Sequence, residues 1–135
     1  MATAERGAYG LEVAIPTEKG PAYGNLAIPE GAQGMVVFAH GSGSSRHSPR
    51  NNYVAQVLRA VGLATFMIGL LARRLVLATD WLGAQDETRE LHIGYFGSST
   101  GAAAAIIAAA GRDDIHGIVS RGGRPDLAGP ALGQF

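Results

Sequence analysis

The chain has 135 residues, 47% hydrophobic and 16% charged, which excludes a disordered tail and suffices for one domain with its own core. Eleven basic residues balance eleven acidic ones, so a net charge of zero argues against a broad nucleic-acid footprint. The absence of cysteine rules out disulfides, thiolate catalysis and zinc–thiolate centres.

The opening MATAERGAYG has no apolar core and does not read as a signal peptide. Leu11, Val13 and Ile15 then alternate with Glu12 and Ala14, and Tyr23, Asn25, Leu26 and Ile28 lead to Pro29. Between them Lys19-Gly20-Pro21 is a turn signal, so the two runs predict a hairpin. Met35 to Ala39 is wholly apolar, the mark of a strand buried on both faces of a parallel sheet. After the Gly/Ser-rich stretch His40 to Arg46, Ser48-Pro49 starts a helix as N-cap and first helical residue. Val54, Val57, Leu58 and Val61 give that helix its predicted apolar face, and Gly62 ends it.

Leu63 to Ile68 is a further strand, and a helix follows from about Leu70 to Ala84 with a stripe of Leu71, Leu75, Ala78 and Leu82. The longest apolar stretch, Ala60 to Ala72, is interrupted by Gly62, Thr65 and Gly69 and falls short of the ~20 residues of a membrane span. A cytoplasmic protein without membrane contact is the expectation. His92 to Phe96 is a strand, Ala102 to Ala110 an alanine-rich helix, and Ile115 to Ser120 a last strand before the Gly/Pro-rich tail Arg121 to Phe135. Strand–helix alternation after a hairpin predicts an α/β fold: three layers, a mostly parallel sheet and helices on both faces. One domain over 1–135 is expected, with its site at the carboxyl ends of the strands.

Gly97-Ser98-Ser99-Thr100-Gly101 fits G-x-S-x-G and lies between a predicted strand and a predicted helix, the context in which the pattern describes a nucleophile elbow. A serine on so sharp a turn needs near-absent side chains two positions either side, which Gly97 and Gly101 meet. Ser99 would then project at the amino end of a helix, where dipole and free N–H groups favour negative charge. One oxyanion donor would be the N–H of Thr100, and the other would come from His40-Gly41-Ser42-Gly43, at Ser42 or Gly43. The plain alternative is a structural turn, since a chain rich in Gly and Ala produces such patterns by chance. A phosphate loop is disfavoured, because the P-loop lysine and the G-x-G-x-x-G spacing are missing.

With these segments in view, the chain resembles an α/β-hydrolase of the dienelactone-hydrolase-like group. The resemblance rests on Val36 to Asn51 (VVFAHGSGSSRHSPRN), Gly62 to Thr65 (GLAT), Ala78 to Leu82 (ATDWL), Gly94 to Ala105 (GYFGSSTGAAAA) and Val119 to Gly129 (VSRGGRPDLAG). It implies a serine hydrolase acting on esters or similar acyl bonds, with Ser99 matching the nucleophile and Thr100 and Ser42–Gly43 the oxyanion hole. It also implies a shortened form. The family has a longer stretch after the GLAT strand, and its acid and histidine usually follow strands beyond those present here.

A serine needs a base within hydrogen-bond reach. His92 and His116 belong at the amino edge of the sheet, away from the site. His40 ends a strand at the correct edge, where its expected part is shaping the oxyanion loop. His47 enters the first helix at that edge, between Arg46 and Arg50, and its plain reading is a surface-loop residue. Asp126 follows the last strand and is either the acid or a turn residue after Pro125, with Arg121 and Arg124 near enough to pair with it or hold an anionic substrate group.

The leading expectation is a minimal carboxylesterase for short acyl chains. Ser99 attacks, the N–H groups of Thr100 and Ser42 hold the oxyanion, and His47, oriented by Asp126, moves the proton. A base from His40 or from a second subunit remains the alternative. The rival class is a non-catalytic hydrolase-fold module with a binding or assembly role. Metal-assisted hydrolysis by His40, His47 and Asp126 has no ligand spacing behind it. No cofactor is expected, the partner is a small ester, and the last strand, left as a sheet edge, invites a homodimer unless Leu132 and Phe135 fold the tail over it.

Overall fold

A computed structural model of the protein describes residues 6–7, 10–39, 48–68, 72–98, 101–110 and 112–121. The chain opens with β1 (Arg6–Gly7), β2 (Gly10–Ile15) and β3 (Ala22–Ala27). β4 (Gly34–Ala39), α1 (Pro49–Ala60), β5 (Leu63–Ile68), α2 (Ala72–Ala84), β6 (His92–Ser98), α3 (Gly101–Ala109) and β7 (Ile115–Arg121) follow. Every predicted element is present in the predicted order. The two-residue β1 was not foreseen, because so short a strand carries no period of its own. The predicted helix start near Leu70 lies outside the described residues.

The sheet runs β1-β2-β3-β5-β4-β6-β7. β4, β5, β6 and β7 are parallel, and β1, β2 and β3 add antiparallel strands on the β5 side. The hairpin register pairs Leu11 with Leu26 and Ile15 with Ala22. Its turn is closed by the Gly20 N–H donating to the Thr17 carbonyl at 3.1 Å, with Gly20 at φ +105°, a region open mainly to glycine.

Strand alternation divides the interior between two faces. Met35 and Val37 of β4 and Phe66 of β5 pack with Leu75, Ala78 and Leu82 of α2 and Ala104, Ala105 and Ala108 of α3. On the opposite face Phe38 and Met67 pack with Ala55 of α1. α3 can lie close because alanine after alanine lets backbones approach: Ala102 to Ile106, Ala108 and Ala109 are all buried. Of the predicted α2 stripe, Leu75, Ala78 and Leu82 are fully buried, and Leu71 lies outside the described residues.

The α1 face is a correction. Val57 and Val61 are 47% and 68% exposed, and Asn51, Asn52 and Ala55 are buried instead, with Val54 and Leu58 half-buried. The helix turns both asparagines inward, and one of them, Asn51, is tied to another element. Asn52 Nδ2 donates to the Ser48 carbonyl at 2.9 Å, and Asn51 Oδ1 accepts from Arg121 at 2.8 Å. The bond from Arg121 offsets the cost of burying the Asn51 amide oxygen.

Candidate active site

The parallel strands end level with one another. Ala39 pairs with Ile68 on one side and with Gly97 on the other, Gly97 pairs with Ser120, and Ser98 pairs with Arg121. This edge is the carboxyl edge at which sites form in such sheets.

β6 ends at Ser98 and α3 begins at Gly101, so the chain reverses from strand to helix within two residues. At Gly97 the reversal leaves no space: a Cβ there would lie 2.5 Å from Ala102 Cα, 2.7 Å from Ala102 N and 2.7 Å from the Gly101 carbonyl oxygen. All three obstacles are backbone, which no side-chain rotation can clear. Glycine at 97 is the residue that lets β6 meet the first turn of α3.

The segment between β4 and α1 is anchored at both ends by described residues. At one end Ala39 lies in register with Gly97. At the other, Ser48 caps α1, its hydroxyl accepting from the Asn51 N–H at 3.4 Å and its carbonyl from the Asn52 N–H at 3.0 Å, with Pro49 opening the helix.

Arg121, the last residue of β7, sits beside this anchor. Its guanidinium donates to Asn51 Oδ1 at 2.8 Å and lies over the Phe96 ring, 5.6 Å from the centroid. Phe96 in turn packs against Phe38 at 4.9 Å between ring centroids. Asn51 carries no sequence signal beyond its place in a first helical turn. Arg121 is foreseen as a neighbour of Asp126, and its bond to Asn51 is not.

Ser99, Thr100, His40, Ser42, Gly43, His47, Arg124 and Asp126 lie outside the described residues, and so do any contacts among them. His92 and His116 do lie at the amino edge, stacked with ring centroids 4.2 Å apart. Also on that side, Arg112 bonds Asp114 at 2.7 Å and Asp80 at 3.0 Å. A half-open cavity of about 430 Å³ is lined by Leu11, Leu26, Ile28, Arg59 and Glu87. Arg59 donates to Thr65 Oγ1 at 3.0 Å, and burial lowers its pKa from the ordinary value. Among the described residues, no group of three or more metal-ligating side chains is gathered, and no helix is long and apolar enough to cross a membrane.

No family model matches the chain. Two Mycobacterium tuberculosis proteins named as phosphoribosyl transferases are 51% identical to it over 141 residues, covering 91% of this chain and 32% of theirs. The chain thus spans about a third of the length of these curated relatives. The matched 141 positions exceed 91% of a 135-residue chain, so the relatives carry residues inside the matched stretch that this chain lacks. An esterase from Pyrococcus furiosus superposes with a TM-score of 0.72 at 23% identity, over 83% of this chain and 48% of the other, and shares the fold. The crystal structure of a dienelactone hydrolase from Anabaena variabilis matches with a TM-score of 0.84 and 48% identity, over 91% of this chain and 68% of that one. With the fold and nearly half of the aligned residues shared over two thirds of such an enzyme, the chain belongs to the dienelactone hydrolase family of α/β-hydrolases.

Proposed function

We propose that the protein is a serine hydrolase that cleaves short-chain carboxylic esters through an acyl-enzyme on Ser99. The observation that carries the reading is the backbone contact at Gly97, where a strand turns into a helix too tightly for any side chain. That is the geometry a nucleophile elbow requires, and it falls within the G-x-S-x-G stretch.

In this mechanism the Ser99 oxygen attacks the ester carbonyl and its proton passes to an imidazole, that of His47 or of His40, with Asp126 orienting it. The N–H groups of Thr100 and of Ser42 or Gly43 stabilise the tetrahedral oxyanion. Its collapse breaks the bond to the alcohol, which leaves with the proton. Water then attacks the acyl-enzyme by the same route in reverse and releases the acid. The family membership and the esterase fold neighbour support hydrolysis. The name phosphoribosyl transferase belongs to proteins two thirds of whose length this chain does not span, so it assigns no activity here.

The test is covalent labelling by a fluorophosphonate probe together with p-nitrophenyl acetate turnover. Wild type should label and turn over, and Ser99→Ala should abolish labelling and lower turnover by at least a thousandfold. Equal rates in the two proteins would overturn the reading and leave the non-catalytic module. His47→Ala should match the serine variant if His47 is the base, and an unchanged rate would transfer that role to His40.

A further inference from the structure

We propose that the half-open cavity near the amino edge of the sheet is a binding site for an aliphatic monocarboxylate, with the carboxylate paired to Arg59 and the chain lying against Leu11, Leu26, Ile28 and Pro29. None of the residues that end the parallel strands at the carboxyl edge, Ala39, Ile68 or Gly97, lines this cavity. The site is therefore separate from the candidate active site and does not rest on the serine hydrolase reading.

The cavity lies where two strands part. β3 keeps its ladder with β5 as far as Ala27, opposite Thr65, and Ile28 and Pro29 then leave it. β5 runs on to Leu63, paired there with Gly34 of β4. The rim of the gap is held by backbone bonds: the Ala32 N–H donates to the Pro29 carbonyl at 3.2 Å, and the Gln33 N–H donates to the Gly62 carbonyl at 2.9 Å. Leu11 and Leu26, opposite each other in the β2–β3 register, form part of the wall. A volume of about 430 Å³ falls within the range of ~300–1,000 Å³ found for small-molecule sites. Walls already built from strands and a closed turn spare a ligand the cost of ordering them.

Arg59, in the last turn of α1, brings the charge. One arm of its guanidinium donates to Thr65 Oγ1 at 3.0 Å, and Thr65 is 1% exposed, so the group is anchored with further donors left to offer. A contrast with Arg112 shows what it lacks. Arg112 is bonded to Asp114 and Asp80, and its pKa is raised. The Arg59 pKa is lowered by burial, the direction expected of a cation that has lost water without gaining a carboxylate. Glu87 shares the cavity but is itself exposed, so water screens its charge. A cation partly stripped of water beside aliphatic walls is matched by an anion that carries an aliphatic chain. Its carboxylate takes the fork of donors, and its chain removes apolar wall from water. Inorganic phosphate would answer the charge and leave the walls bare.

The experiment titrates octanoate, 1-octanol and inorganic phosphate into isotope-labelled protein and follows the amide resonances. Octanoate should shift the amides of Leu11, Leu26, Ala27 and Ile28 saturably and leave those of Gly97, Gly101 and Ala102 in place. It should bind at least tenfold more tightly than either 1-octanol, which has the chain without the charge, or phosphate, which has the charge without the chain. Arg59→Gln keeps an N–H donor and drops the charge. It should weaken octanoate at least tenfold and leave 1-octanol within about twofold. Ile28→Trp, which fills the cavity, should abolish binding of both. The wild-type ratio of octanoate to 1-octanol affinity reads the ion pair without any substitution. Equal affinity for octanoate and 1-octanol would overturn the pairing with Arg59, and phosphate binding as tightly as octanoate would overturn the role of the walls. Shifts confined to Gly97, Gly101 and Ala102, or no saturable shift at all, would overturn the site. Loss of the serine hydrolase reading would leave each of these outcomes unchanged.

Discussion

At Gly97 the backbone of one element touches the backbone of the next, and a single added carbon has nowhere to go. Gly97→Ala should therefore force β6 and α3 apart, costing about 1–3 kcal/mol of stability, as overpacked interiors do. Chemical denaturation measures this, and an unchanged midpoint would mean that the turn relaxes freely. The need for glycine at 97 was legible from the G-x-S-x-G spacing. The burial of Asn51 was not, because nothing local distinguishes a helical asparagine facing solvent from one facing an arginine 70 positions along the chain. Side-chain pairings at such separation depend on how elements dock, and periodicity does not encode that.

Among the elements, α2 and β6 are joined by more than apolar contact. Thr79 of α2 donates its hydroxyl proton to the Leu75 carbonyl at 2.7 Å, and the same oxygen meets the Tyr95 hydroxyl. Thr79 has a single proton, so Tyr95 is the donor in the second bond. Burial raises the Tyr95 pKa above its ordinary value, which keeps the phenol protonated and donating. Tyr95→Phe removes that donor from a site where both residues are at most 2% exposed, and should cost about 1 kcal/mol. Thermal and denaturant melts check it, and a gain in stability would show the bond to be a net burden. Predicting α2 from its stripe succeeds where α1 fails for one reason. The α2 residues Leu75, Ala78 and Leu82 are buried as their period indicates, with Thr79 the one polar group buried beside them, whereas α1 buries two asparagines that hydrophobic periodicity reads as solvent-facing.

For the molecule as a whole, stability against acid depends on charges far from the candidate site. Arg112 joins Asp80 of α2 to Asp114, just before β7, and so ties the α2 layer to the last strand. The hydrogen bond from Arg112 holds the Asp114 carboxyl below its ordinary value of 3.8. A carboxyl depressed in the folded state contributes stability that is complete above the ordinary value and is lost as pH falls through the folded one. Asp114→Asn should thus lower the melting temperature by a constant amount near neutral pH. The gap from wild type should close below pH 3.8. Because Asp114 is half exposed, the gap should be small and shrink with added salt. A gap that widened on acidification would contradict the assignment.

The element order and the doubly covered sheet followed from composition and periodicity alone. Apolar runs, cap residues and turn glycines act within a few residues of themselves, so their message survives without the fold. The site was half legible in the same way, since elbow glycines are a local demand. The strand order with β5 and β6 flanking β4, the rotation of α1 and the bond from Arg121 to Asn51 became fixed only on assembly. These depend on which buried polar group finds a partner across the sheet, a choice made between segments and invisible to any one of them.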